Sequence, residues 1–312
     1  MTESHLPRAS PAMPLFPPGE AVCLFAQYAQ AGRLPAHTRR YLAVLGQLGL
    51  RLHVALSGVT TVAAEDAEFL SGIGAEAWPR ANTGLDFGAW ADLLGRGCAD
   101  RAAFVLLSND SVFGPYGDLG AVVGRMQARR LDAWGMVESQ ERVWHLQSWF
   151  LMLRGACLAM PAVRRVFAQD FAAMTKPEII LHGELGLSVA LQAEGGQLGS
   201  VTGPAGRQRR LLPANPSHFD WRPLLTTRQV PFLKVELLRD NPADIAWLGP
   251  LWRGVLGGLP ANGVAEIEAA LGAGFTPPRR AYRAGRRLLH CLLTQDRAAA
   301  LRALVPAGRD WR

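Results

Sequence analysis

Ala103-Phe-Val-Leu-Leu107 is an unbroken apolar run that stops abruptly in Ser108-Asn109-Asp110-Ser111. A parallel strand buried on both faces reads this way. Open α/β sheets bind ligands outside the carboxyl ends of such strands, so the polar stop predicts a ligand site at a sheet edge. Upstream, Arg80-Ala-Asn82-Thr-Gly84-Leu-Asp86-Phe87-Gly88-Ala-Trp90 offers a second set of small polar groups, with glycines that let backbone amides approach a ligand closely.

The rest of the first half keeps the same rhythm. Strands are expected at Ala21–Ala26, Arg51–Leu56 and Ala75–Trp78, and helices at Thr38–Leu48, Asp66–Leu70, Phe87–Leu94 and Leu119–Arg129. This alternation implies a mostly parallel sheet with helices on both faces. Leu131–Val137 and Ser148–Leu153 read as two more strands, and Pro161–Phe171 and Glu184–Gln192 as helices. Residues 194–217 hold five Gly and three Pro, and form a candidate mobile loop carrying Arg207, Arg209 and Arg210.

A net charge of +7 first suggests nucleic acid, but its distribution argues otherwise. Nine Arg and two Asp lie between Arg279 and Arg312, so the tail carries the whole excess and the body is neutral. No nucleic-acid partner is expected. All basic residues except Lys176 and Lys234 are Arg, a bias that a GC-rich genome produces without functional demand. Cys23, Cys98, Cys157 and Cys291 form no CxxC pair, which suits buried reduced thiols and a cytoplasmic setting. Residues 1–20 are Pro-rich, are read as a flexible segment, and lack the pattern of a signal peptide.

Each polar cluster has a functional reading and a structural one. Asp86 either accepts hydrogen bonds from a ribose or base, or caps the following helix. Asp110 either ligates a hard cation or, with Asn109 and Ser111, closes the strand in an Asx turn. His145-Leu-Gln147-Ser148-Trp149-Phe150 combines polar groups with aromatic faces, as ligand pockets do, and also alternates like a half-buried strand. Glu184 is either a general base or a helix N-terminal acid favoured by the macrodipole. Lys234 and Arg239 either reach an anionic ligand or form surface pairs with Glu236 and Asp240.

Taken in order, these segments resemble the rhamnan synthesis protein F family of bacterial polysaccharide-assembly glycosyltransferases. The resemblance rests on Val22–Ala26, Arg80–Trp90, Leu106–Pro115, Trp134-Gly135, His145–Phe150, Glu184–Ser188, Asn215-Pro216 with Trp221, and Pro231–Pro242. It implies a GT-A-like, Rossmann-like α/β domain over residues 21–242, followed by a helical, basic carboxyl-terminal extension over 243–312.

The activity it implies is transfer of a sugar, typically rhamnose, from a nucleotide-diphosphate donor to a cell-surface polysaccharide or lipopolysaccharide acceptor, glycan or lipid-linked. By analogy dTDP-rhamnose is the expected donor. Asn82, Gly84, Asp86, Gly88, Asn109, Ser111, Gln147, Lys234 and Arg239 are then the expected donor-binding residues, and Glu184, Asp110 and His145 the catalytic candidates. Asp110 stands where the usual Asp-x-Asp would hold Mg2+ or Mn2+. The chain has no Asp-x-Asp, which keeps open a second reading, a non-catalytic glycan-binding or assembly protein with the same fold. Two positions depart from the family pattern: Leu85, where an aromatic is expected, and Gly183, where Tyr is usual. The basic tail, with Tyr282, Leu288, Leu289, Leu292, Leu293, Leu301 and Leu304, reads as an amphipathic helix for the inner face of the membrane or for packing on the domain.

Overall fold

The computed structural model describes residues 14–29, 32–203, 213–259, 263–279 and 284–304. In chain order the elements are β1 (Ala21–Tyr28), α1 (Ala36–Gln47), β2 (Arg51–Ser57), α2 (Ala64–Gly72), β3 (Glu76–Arg80), α3 (Leu85–Gly95), β4 (Phe104–Asn109), β5 (Val112–Phe113) and α4 (Leu119–Gln127). Then follow β6 (Ala133–Gly135), β7 (Glu138–Ser139), β8 (His145–Leu146), β9 (Phe150–Arg154), α5 (Pro161–Phe167), α6 (Lys176–Ile179), α7 (Gly186–Ala193), β10 (Leu198–Ser200) and β11 (Leu233–Lys234). Among the described residues further helices lie between Pro216 and Leu304.

Seven strands form one sheet in the order β10-β6-β9-β4-β1-β2-β3. The sheet is mostly parallel and flanked by helices, as the alternation predicted, and β9 alone in it runs antiparallel to its neighbours. Side chains alternate across β1, yet both faces are buried. Cys23 and Phe25 pack with Tyr41, Leu42 and Leu45 of α1 and Val122 and Met126 of α4. Val22 and Leu24 pack with Trp90 and Leu93 of α3, Val163 of α5 and Leu191 of α7. This two-sided burial is why the strands read as unbroken apolar runs.

The chain runs from β1 to β2 and β3 on one side, then returns to β4 on the other. That reversal opens a crevice at the carboxyl ends of β1 and β4, the topological switch point where such sheets bind ligands. Because β9 is antiparallel, its amino end, led by Ser148 and Trp149, reaches the same edge.

Several of the expected segments take on more detail in the structure. The stretch read as a loop over 194–217 contains β10, the sheet's edge strand; its three residues, one of them Gly, are too few to show an alternating pattern. Arg207, Arg209 and Arg210 lie outside the described residues. Phe16, in the stretch read as flexible, is 3% exposed and its amide bonds to the Leu48 carbonyl. A third cluster joins Phe113 and Tyr116 to Trp221, Trp247, Trp252, Ile267, Ala299 and Ala300, so the apolar contacts cross the boundary expected near residue 242. In the tail, His290 is buried against Phe219 and Trp247, whereas Leu289, Leu292 and Leu301 are exposed. Tyr282 and the side chains of Leu288 and Leu304 lie outside the described residues. Cys23, Cys98 and Cys157 are buried free thiols. Among the described residues no helix is long and apolar enough to cross a membrane.

Candidate active site

A cavity of about 190 Å³ lies at this edge, lined among others by Asp86, Asn109, Ser111, Lys176, Glu184 and Lys234. Its size is below the ~300 Å³ at which drug-sized ligand pockets begin.

Gly84 and Leu85 begin α3 in the left-handed region, with φ of 71° and 49°. A side chain at Gly84 would stand 2.9 Å from Gly88 Cα, and one at Gly88 would stand 2.6 Å from the Thr83 carbonyl oxygen. The two glycines are therefore needed for the turn itself. Gly84 is the helix cap, which leaves Asp86 in the first turn; instead of capping, its Oδ2 accepts a 2.6 Å bond from Asn109 Nδ2. Burial raises the Asp86 carboxyl to about 6, with the Glu184 charge adding to the rise and the Asn109 bond, Lys234 and Lys176 opposing it.

Asn109 Oδ1 accepts from the Ser111 amide and hydroxyl at 3.1 and 2.6 Å, so the Asx turn exists and its amide nitrogen still reaches Asp86. Asp110 faces the other way. Its Oδ2 accepts from Gln27 Nε2 at 2.7 Å and from the Tyr28 amide at 2.9 Å, which ties the ends of β4 and β1 together. Burial, then the neighbouring Asp86 charge, raises its carboxyl to about 7.

Glu184 does not open a helix. The helix begins at Lys176, behind a capping box between Thr175 and Glu178, and Glu184 sits in a π-helical turn spanning Ile180–Leu185. The widened turn re-aims side chains, and such turns occur often at functional sites. Glu184 Oε2 accepts from the Ser148 amide at 2.9 Å and the Ser148 hydroxyl at 2.6 Å. Behind it, His145 is 4% exposed. Its Nδ1 is 2.9 Å from the Val143 carbonyl oxygen, which can only accept, so Nδ1 carries the proton and Nε2 faces Glu184 Oε1 at 3.7 Å. Gly183 gives room to Phe87, whose ring carbons would lie 2.7–2.9 Å from an added Cβ.

Lys234 arrives from β11, which pairs antiparallel with β5 and so sets it beside the Asn109–Ser111 turn. The remaining candidates stand apart. Gln147 is 2% exposed and its amide faces inward: Nε2 donates to Asn215 Oδ1, and Oε1 accepts from Trp149 Nε1 and Ser217 Oγ. It does not line the cavity and ties the wall behind it to Asn215 and Ser217. Arg239 is exposed and paired with Asp240. Asn82 is exposed on the loop after β3. Arg80, not among the expected site residues, braces that loop through Ser57 Oγ and the Thr83 carbonyl. Lys176 was missed as a site residue although its rarity marked it.

The donor set fits Mg2+ or Mn2+ poorly. Among the described residues no group of three or more His, Cys, Asp or Glu side chains is placed to hold a metal ion. Asp110 Oδ2 takes two bonds from Gln27 and Tyr28 and does not line the cavity, while Asp86 Oδ2 is bonded by Asn109.

Comparison with known proteins agrees with the motif resemblance. Among curated proteins none matches the chain. Solved structures to which the chain is similar include two of low identity. The glycosyltransferase GlyE of Streptococcus pneumoniae TIGR4 is 11% identical with a TM-score of 0.40, and the match covers 85% of this chain and 66% of that one. TarS 1-349 of S. aureus, in complex with UDP, is 12% identical with a TM-score of 0.36, covering 91% and 89%. The model of rhamnan synthesis protein F matches residues 55–248, which include α3, the β4 turn, the Glu184 helix and β11, and so the chain belongs to the rhamnan synthesis protein F family.

Proposed function

We propose that the chain is a nucleotide-sugar-dependent glycosyltransferase of GT-A-like architecture that adds a sugar to a cell-surface polysaccharide acceptor. The observation that carries this is the convergence of Glu184, Asp86, Asn109 and two lysines on one cavity at the switch point. A transferase needs an acceptor base and a cationic seat for the leaving diphosphate, and these residues supply both.

Glu184 is the base. Its Oε2 is held by Ser148, so the carboxylate keeps a fixed orientation, and Oε1 faces His145. His145 is a positioning residue behind it. Asp86 and Asn109 serve the nucleotide side, and Asp110 positions the ends of β1 and β4. The donor is a nucleoside diphosphate sugar, with dTDP-rhamnose first in line from the family. Exposed Leu289, Leu292 and Leu301 in an Arg-rich segment fit a peripheral contact with anionic lipid, which would bring a lipid-linked acceptor to the enzyme.

Thermal shift against dTDP, UDP, GDP and CDP tests the reading, followed by transfer from the sugar conjugates of whichever base binds. A ligand at a hundred times its Kd adds about 2.7 kcal/mol. One base class is expected to stabilise the protein, and its sugar conjugate to turn over. Binding without turnover on any glycan acceptor supports the non-catalytic alternative.

A further inference from the structure

The chain has 33 basic residues, and only Lys176 and Lys234 are lysines. They are far apart in sequence, on α6 and on β11, yet both line the same cavity. Neither side chain forms an ion pair or hydrogen bond with another described residue. Their positive charges both act on the Asp86 carboxyl, which places them within electrostatic reach of one point.

Arginine offers a planar fork that matches carboxylates and phosphates alike, whereas the lysine ammonium is a compact point charge with three donors that can follow phosphate oxygens without a fixed fork geometry. A chain that uses Arg nearly everywhere else retains Lys where a diphosphate would sit. The cavity's carboxyl groups are those of Asp86, Glu184 and Glu236, of which Asp86 and Glu184 are engaged with Asn109 and Ser148, and among the described residues no group of three or more His, Cys, Asp or Glu side chains is placed to hold a metal ion.

We infer that Lys176 and Lys234 together bind the diphosphate of the donor and stabilise it as leaving group, in place of a divalent metal ion. The inference rests on the transferase reading. As the bond between the anomeric carbon and the phosphate oxygen breaks, its electron pair stays on that oxygen, and the two ammonium groups hold the added charge. The acceptor hydroxyl oxygen forms the new bond to the anomeric carbon, and its proton passes to Glu184.

The scarcity of lysine makes the test direct. Protein labelled at lysine 13Cε shows two side-chain signals, which are followed by NMR while UDP, dTDP, GDP, CDP and inorganic pyrophosphate are titrated in EDTA; calorimetry runs in parallel with and without Mg2+ or Mn2+. Both signals should move with the diphosphate that binds in EDTA. Lys176→Gln and Lys234→Gln should each weaken it at least ~10-fold, with Lys→Arg recovering part of the loss.

Binding that requires the metal, or calorimetric binding in EDTA that moves neither lysine signal, overturns the inference while leaving the transferase reading in place. Failure of every nucleoside diphosphate with and without metal overturns both. The NMR arm uses the unaltered chain, so a variant that folds poorly does not obscure the result.

Discussion

Replacing Asp110 by Asn should stabilise the protein, and only at higher pH. Burial and the nearby Asp86 charge raise the Asp110 carboxyl to about 7. The folded chain therefore holds this proton more tightly than the unfolded chain, where the group titrates near ~3.9. Stability from this group is present at pH 4 and is lost as the pH rises toward 7. A tenfold difference in proton affinity between the folded and unfolded chain corresponds to ~1.4 kcal/mol. Asp110 is partly exposed and shares its titration with Asp86, which reduces the expected cost at pH 8 to ~1–3 kcal/mol. An Asn carbonyl still accepts from Gln27 Nε2 and the Tyr28 amide, so the geometry survives. The chain's nine Trp provide the signal for urea unfolding at pH 4.5, 6 and 8. Asp110→Asn should match the parent within ~0.5 kcal/mol at pH 4.5 and exceed it at pH 8. A variant less stable than the parent at pH 8, or a difference independent of pH, would mean that the fold does not hold Asp110 protonated.

Three further outcomes are expected. Gly183→Ala should cost ~1–3 kcal/mol in urea unfolding, because its Cβ would meet the Phe87 ring at 2.7 Å; a neutral result would mean that the ring yields. Gly84→Ala combines a φ of 71° with a 2.9 Å approach to both Gly88 Cα and Phe171 Cβ, and should cost ~2–4 kcal/mol by the same measurement. Arg222→Ala leaves Asp296 buried without its guanidinium, and should cost ~1–3 kcal/mol and speed proteolysis around residues 284–304, with unchanged cleavage counting against the tie.

The parallel sheet and its switch point were legible because strands buried on both faces leave long apolar runs, as in β1, β2 and β4. Short pieces were not. Two-residue strands such as β5 and β11 carry no periodicity, yet their pairing is what brings Lys234 to the Asn109 turn. The start of the Glu184 helix was missed because Lys176-Pro177 looks like a break; Pro in the first helical turn needs no amide partner, and Thr175 with Glu178 forms the capping box. Gln147 had the composition of a sugar contact, but besides the neighbouring Trp149 its side chain bonds to Asn215 and Ser217, residues whose proximity only the fold creates. Asp110 and Asn109 are adjacent, and strand alternation sends them to opposite sides, so one lines the cavity and the other ties the strands. The signal for Lys176 was in the sequence, as one of two lysines among thirty-three basic residues, and a genomic bias was sufficient to explain the arginines but not the exceptions.

The decisive experiment is the transfer rate of Glu184→Gln, measured on the donor that the nucleotide panel identifies, with diphosphate affinity measured on the same preparation. Gln keeps an acceptor for the Ser148 amide and hydroxyl but cannot take the acceptor's proton. If Glu184 is the base, transfer falls by ~100-fold or more, the range of a general base, while diphosphate affinity stays within ~3-fold of the parent. Transfer at the parental rate by Glu184→Gln would contradict that assignment.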